Sequence, residues 1–437
     1  MRIRRFRLVA AVAAAALAPL LAAPLHAADW PQWRGPNFNG SSPETGLPAT
    51  WSRTDGIAWS ATLPGPADAT PIVFGKRVFI SSTDAGSRAL VGMCLSAEDG
   101  RVLWQKRLGT DARVPRNTMA SPSPVTDGKV VVFLYGTGEM AGLTVEGKVR
   151  WHRDLGREFG KLAIKYGYSS SPLLYGDRLY VPMLRRPWPY PYNPGRSTPA
   201  GRNRRLDSFL LAMVPATGRT LWRHVRPSDA VDESFESYGT PVPVEAGGRV
   251  DLVLSGGDCV TGHDPATGRE RWRWAYNPSH RNLYRLIPSP TPGEGRVFVP
   301  LPRGNRLAAL APEGRGVGLA WDMAGPTTDS ATSLLYDGRL YVLDSDRKTL
   351  CALDPESGAV RWKVRLGAAV WRASPTGADG KIYCLSAAGE VAVLKAGDSP
   401  EILSRIEMGG ENVRSTIAVA GGRLYVRTHD RLWCIGR

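Results

Sequence analysis

The sequence predicts an all-β chain, a single eight-bladed β-propeller of four-stranded blades, from two repeated signatures and one mismatch between the chain ends. The first signature is a small residue followed by Gly six positions on and Trp ten positions on. It occurs at Cys94/Gly100/Trp104, Ala141/Gly147/Trp151, Ala212/Gly218/Trp222, Gly262/Gly268/Trp272 and Ala352/Gly358/Trp362, and Trp59 and Trp321 continue it in degenerate form. Successive tryptophans lie 45, 47, 71, 50, 49 and 41 residues apart, the period of a four-stranded blade with one insertion.

The second signature is a turn glycine, a charged residue and a short alternating strand, as in DGRLYVLD and DGKIYCLS. Its glycines are Gly75, Gly128, Gly176, Gly248, Gly295, Gly338, Gly380 and Gly422. Each suits a tight turn between an inner strand, often opening with Ser-Pro or Thr-Pro, and a half-buried second strand. The mismatch lies at the ends. GGRLYVRTHDRLWCIGR supplies strands and stops, while IAWSATL carries Trp59 with no strands before it. The N-terminal strand is therefore expected to complete the last blade and close the ring, which removes most free sheet edges.

In this reading the tryptophan unit is architecture. The small residue lets neighbouring blades approach, the glycine frees the backbone of the hairpin turn before the last strand, and the Trp offers a flat apolar face to the adjacent blade. Docking is assigned to Trp59, Trp104, Trp151, Trp222, Trp272, Trp321 and Trp362.

The domain plan follows. Residues 1–28 place four arginines before an apolar run and end in small residues, the pattern of a cleaved signal peptide. The alternative, a membrane anchor, needs a longer apolar run. No Cys precedes Cys94, so no lipid-attachment cysteine is present at the processing site. Residues 29–56 form an N-terminal extension and 57–437 the propeller. The expected location is periplasmic or secreted, with no transmembrane anchor after cleavage. Loss of Arg2, Arg4, Arg5 and Arg7 with the signal lowers the formal charge from +16 to +12. An exported basic chain points to a protein or an anionic polysaccharide or other envelope component as partner, or to solubility alone, and not to nucleic acid. A monomer is expected.

Cys94, Cys259, Cys351, Cys384 and Cys434 are far apart and form no CxxC, so they read as buried thiols, with one bridge between neighbouring units as the alternative. The histidines show no metal spacing, and no GxSxG or Walker-type element occurs. DSDRKT at 344–349 lacks a calcium-loop continuation and reads as a hairpin loop. No catalytic, cofactor-binding or metal-ligating residue is assigned.

Candidate ligand residues come from position. The residues just before each innermost strand stand at the channel mouth, where propellers place ligands or partners. Alignment of the units puts Arg372 and Arg414 in matching positions of neighbouring blades with Asp68 next around the ring, and Arg116, Lys165 and Arg285 in nearby loops. An arginine pair suits a carboxylate or phosphate; the competing reading is pairing with a local acid or plain solvation. The insertion at 185–205 contributes Arg185, Arg186, Trp188, Arg202, Arg204 and Arg205 and contains no acid. Falling between the second and third strands of its blade, it should project on the channel-mouth face. It suits stacking on sugars or grasping an anionic partner, against the alternative of a Pro-rich surface loop. Trp30 and Trp33, in DWPQWRGP, lie outside every blade and serve either as an exposed platform or as a brace across the ring.

MVPATGRTLW, GHDPATGRERW and ALDPESGAVRW resemble the tryptophan-docking repeat of the pyrroloquinoline-quinone-like (PQQ-like) propeller superfamily, which includes quinoprotein alcohol dehydrogenases and the assembly lipoprotein BamB. DWPQWRGPNFNG, MASPSPVTDGKVVVFLYGTG and LSGGDCVTGHDPATGRERWRW are similar to secreted members of that group in environmental bacteria. The resemblance covers the mature chain and implies the propeller. Its members differ in cofactor use. The dehydrogenases hold a calcium-bound quinone, often beside a disulfide of adjacent cysteines, with an Asp as base. Here no two cysteines adjoin and no Asp matches by motif, so no cofactor is expected. A non-enzymatic binding or scaffolding role follows, with a PQQ- and calcium-dependent alcohol or sugar dehydrogenase as the alternative.

Overall fold

The structure, a computed structural model, describes residues 29–112, 114, 117–188, 206–304 and 306–436. The signal segment 1–28 and the candidates Arg116, Arg202, Arg204 and Arg205 lie outside the described residues.

Eight four-stranded antiparallel sheets form the ring. Blades 1 to 7 span 72–110, 125–154, 173–225, 242–275, 291–324, 334–365 and 376–407. Blade 8 takes three strands from 418–435 and its outermost strand, Ile57–Thr62, from the other end of the chain. Ile57–Thr62 pairs antiparallel with Arg431–Ile435, as the mismatched ends required. The one α-helix among the described residues, Leu155–Phe159, caps the exit of blade 2.

Blade 6 shows why these segments fold as they do. Its strands are Leu334–Tyr336, Arg339–Asp344, Thr349–Leu353 and Val360–Arg365, paired in that order. The first turn places Asp337 and Gly338 at φ 51° and 65°, the two left-handed positions of a type I′ hairpin whose twist matches the flanking strands. The middle strands are buried nearly throughout because another blade covers each face. The outermost strand alternates, and Trp362 is its buried residue.

That tryptophan position builds the blade junctions. Trp321 Nε1 donates to Pro355 O at 3.0 Å, in the turn of the next blade. The same step joins Trp59 to Ala97 O, Trp104 to Val145 O, Trp151 to Pro215 O and Trp362 to Gly397 O, at 2.8–2.9 Å. The turn glycine lies under the indole: a methyl group on Gly100, Gly147, Gly218, Gly268 or Gly358 would meet the preceding blade's Trp within 2.4–2.8 Å. Two junctions differ. Trp222 packs on Gly268 but its Nε1 is buried without a partner, and Trp272 Nε1 turns to Asp251 Oδ2 of its own blade at 2.7 Å.

The small residue lies in the core between adjacent blades, as Cys94 and Ala352 do. It also faces the Trp of its own blade across the strand pair, as Cys94 faces Trp104, Ala212 Trp222, Gly262 Trp272 and Ala352 Trp362. In blade 2 the opposing residue is Gly142, one position beyond Ala141. The indole lies over the third strand on its way to the next blade, and a larger residue there would lift it.

The extension 29–56 is a strap across the turn end of the channel. Trp30 exchanges backbone hydrogen bonds with Val73 of blade 1, and Pro31 O accepts from Thr126 N of blade 2. Gln32 Oε1 accepts from Leu174 N of blade 3 at 3.1 Å. Ser42 N and Gly40 O bond to Gly377 of blade 7. Trp51 packs into the core shared by blades 7, 8 and 1, and its Nε1 donates to Met408 Sδ at 3.2 Å. The strap also meets the outer strand of blade 7, which carries no Trp, where Ser404 Oγ donates to Ala49 O and Arg53 Nε to Glu407 O, before running into blade 8. All five cysteines are buried and unbridged.

Candidate functional site

A belt of eight hydroxyl residues fixes the channel wall. Thr70, Ser123, Ser171, Thr240, Ser289, Thr332, Ser374 and Thr416 open the inner strands of blades 1 to 8, and all are buried. At seven junctions the backbone N–H of one blade donates to the hydroxyl of the next, at 2.7–3.0 Å. These bonds occupy amides that an inner strand would otherwise leave unpaired. They also fix the residue two positions earlier. In blades 1 to 8 that residue is Asp68, Ser121, Ser169, Tyr238, Ile287, Ser330, Arg372 and Arg414, and all eight line one cavity.

The cavity is a cup of about 500 Å³. Its far end is closed by the strap, from which Trp33 enters the lining. Arg34, beside it, is buried and spans blades 6 and 7, donating to Ser333 O at 2.8 Å and Pro375 O at 2.9 Å. The channel is therefore blind among the described residues, with its opening on the strand-entry face.

The wall from blades 6 to 8 carries Lys348, Arg372 and Arg414. Arg372 is exposed, and no hydrogen bond or ion pair engages it among the described residues. Arg414 donates to Asn117 Oδ1 across the cup. Behind it, burial pushes the Asp68 carboxyl above its ordinary pKa, against the opposing pull of Arg414, Arg427 and the Ser121 hydroxyl. Asp329 and Asp346 also line this wall, and neither lies in an ion pair among the described residues.

The opposite wall is neutralised from behind. Arg285 donates to the buried Glu233 at 2.8 Å and stands over the Tyr166 ring with Lys165. Tyr238 donates to Glu236 at 2.8 Å, and Glu236 and Asp232 hold Arg186. Burial raises the Glu236 pKa more strongly than Arg186 lowers it. Positive charge thus remains available mainly on the blade 6 to 8 side.

The positional candidates separate accordingly. Arg285, Arg372 and Arg414 are brought together in the cup. Arg185 is turned inward and only 1% exposed, donating to Phe159 O, Gly160 O, Lys161 O and Asp207 O at 2.7–3.0 Å. Arg186 sits in the acidic cluster, and Trp188 is half-buried at the foot of the insertion, outside the cup lining. The insertion runs between the second and third strands of blade 3. Sequence reading missed the belt, although Ser-Pro or Thr-Pro marked six of the eight inner strands. It also missed Asp346 and Lys348, which the DSDRKT hairpin carries to the cup.

Residues 44–182, 207–317 and 303–431 match the family profile described as outer membrane protein assembly factor BamB. The chain belongs to that family. Among solved structures, this member of the BamB family is similar to BamB from Moraxella catarrhalis at 15% identity and a TM-score of 0.59, over 86% of this chain and 96% of that one. It is similar to quinohemoprotein alcohol dehydrogenase from Comamonas testosteroni at 14% identity and a TM-score of 0.66, over 94% and 81%. The designed protein Ika8 matches at 10% identity and 0.60, over 87% and 99%. These likenesses establish the propeller. No curated protein sequence matches.

The calcium-bound quinone implied by the superfamily needs anionic oxygens converging on one point. Asp68, the carboxyl deepest in the wall, is raised in pKa and accepts from Ser121. Among the described residues no three His, Cys, Asp or Glu side chains come together to hold a metal. Asp68, Asp329 and Asp346 line the cup without converging in such a cluster. No helix among them is long and apolar enough to cross a membrane.

Proposed function

We propose that this BamB-family propeller is an exported, non-enzymatic binding module that recognises a protein or anionic glycan partner through the blind cup. The observation that carries the reading is Arg372, an exposed guanidinium without a partner among the described residues, on a wall that also bears Lys348 and Arg414. An unpaired arginine fork presents several fixed N–H donors to a carboxylate or phosphate. Two residues on from Arg372, the Ser374 hydroxyl accepts from Thr332 N at 2.9 Å, which ties this strand to blade 6 and limits the ordering that binding requires.

The test titrates the full chain with polyglutamate and polygalacturonate by calorimetry. At least one polyanion is expected to saturate, and Arg372→Gln should weaken it by roughly tenfold, the worth of one charge-assisted hydrogen bond. Binding by neither, or equal binding by wild type and variant, would overturn the reading. Incubation with PQQ and calcium followed by desalting covers the dehydrogenase alternative. Quinone retained at one per chain, with alcohol-dependent dye reduction, would favour that alternative.

A further inference from the structure

We propose that the cup takes the end of a uronic-acid-type oligosaccharide, a carboxylated sugar chain entering by its terminus. This rests on the binding function proposed above and narrows it to one ligand class.

Three features of the cup support that chemistry. The first is closure. Trp33 and the strap beneath it block the far end, with Arg34 hydrogen-bonded to carbonyls of blades 6 and 7. A polymer cannot thread such a channel, and about 500 Å³ lies within the roughly 300–1,000 Å³ range of small-molecule sites. Only a chain end or a pendant group fits.

The second is the mixture of groups. Asp329 and Asp346, free of ion pairs among the described residues, stand on the same wall as Arg372. Planar carboxylates and guanidinium each engage two neighbouring oxygens, the spacing that vicinal sugar hydroxyls present. Arg372 then has a carboxylate to meet, and Trp33, in the cup lining, adds an aromatic ring for the apolar C–H side of a sugar. A ligand bearing only negative charge would be repelled by Asp329 and Asp346, whereas a hydroxyl-rich ring with one carboxylate uses both signs.

The third is the backbone. An extended acidic peptide gains affinity by pairing with free amides of a strand edge. Here the amides that open seven of the inner strands already donate to the belt hydroxyls. The one strand-opening amide outside this set is that of Ser374, too little for a strand-like pairing, so recognition falls mainly to side chains, which favours a sugar.

The experiment is calorimetry on the full chain with galacturonate and glucuronate oligomers of one to six residues, their neutral counterparts and hexaglutamate. A uronate series is expected to bind, to gain affinity over the first few residues and then to level off, because a blind cup holds only the end. Neutral counterparts should not bind measurably. Arg372→Gln should weaken binding by roughly 10- to 100-fold and Arg372→Lys by less, since Lys keeps the charge but not the fork. This side chain is exposed, so the substitutions leave the fold in place.

Hexaglutamate binding that depends on Arg372, without uronate binding, would overturn the sugar assignment and leave the proposed binding function standing. Affinity that keeps rising with every added residue, or several propellers along one long chain, would overturn entry by the terminus. Failure of every probe would remove both readings.

Discussion

Trp321 lies on Gly358: its indole Nε1 reaches Pro355 O of the next blade at 3.0 Å, and a methyl group on Gly358 would stand 2.8 Å from its Cδ2. The glycine is held twice over, by its left-handed φ of 74° and by the ring above it. Gly380 separates the two effects, because its φ is 64° but nothing lies within 4 Å of an added methyl. Gly380→Ala should cost about 1 kcal/mol of conformational strain. Gly358→Ala should cost about 2–4 kcal/mol, since the indole must also move. Chemical denaturation of the two variants measures the difference, and equal costs would mean that docking does not constrain the glycine.

Arg34 is the keystone of the strap. Its guanidinium is buried, its pKa is lowered to about 9 by desolvation, and it donates to Asn39 O, Ser333 O and Pro375 O at 2.8–2.9 Å. Arg34→Met leaves those carbonyls unpaired while removing a buried charge. The net loss expected is about 2–4 kcal/mol, read as a lower denaturation midpoint. Faster proteolytic cleavage within 29–56 should accompany it, because the strap loses the Arg34 side-chain bonds to blades 6 and 7 and keeps the main-chain bonds of Gly40, Ser42 and Leu47 to blade 7.

His263 gives the fold an acid-sensitive element. It is fully buried, with Nδ1 at 3.0 Å from Gly268 O and Nε2 at 2.9 Å from the Thr261 hydroxyl. Nδ1–H therefore donates to the carbonyl, and Nε2 accepts from Thr261, whose oxygen accepts from Arg226 Nε. Burial, the largest cause, lowers the pKa from 6.5 to about 4. Between those values the unfolded chain binds a proton that the folded chain does not, so stability rises with pH across this window and falls on acidification. The contribution is about 3 kcal/mol. His263→Gln should remove that part of the slope between pH 6.5 and 4, measured as unfolding free energy against pH for both proteins.

Much of the ring was legible because its signals are local. Gly338 sits two residues beyond Tyr336 and opens a turn that any chain with that spacing would make. Arg372 and Arg414 reached the cup because strand register carries equal positions to equal heights. The second contact of the small residue, across the strand pair as from Ala352 to Trp362, was not legible because a cross-strand neighbour and an inter-blade neighbour look alike in sequence. Arg185 reads as a loop cation in a stretch without acids, yet four backbone carbonyls bind it, and carbonyls leave no trace in residue type.

By itself the sequence determined the blade number, the turns, the docking tryptophans and the closing strand, since each depends on residues within one unit or on a count of units. Tertiary structure decided that, among the described residues, the channel is blind and Arg372 stands unpaired while Arg285 is neutralised, and that the hydroxyls form a belt. Those outcomes depend on residues such as Arg34 and Ser333, 299 positions apart. Ring closure brings them together, and their partners are backbone groups common to every residue.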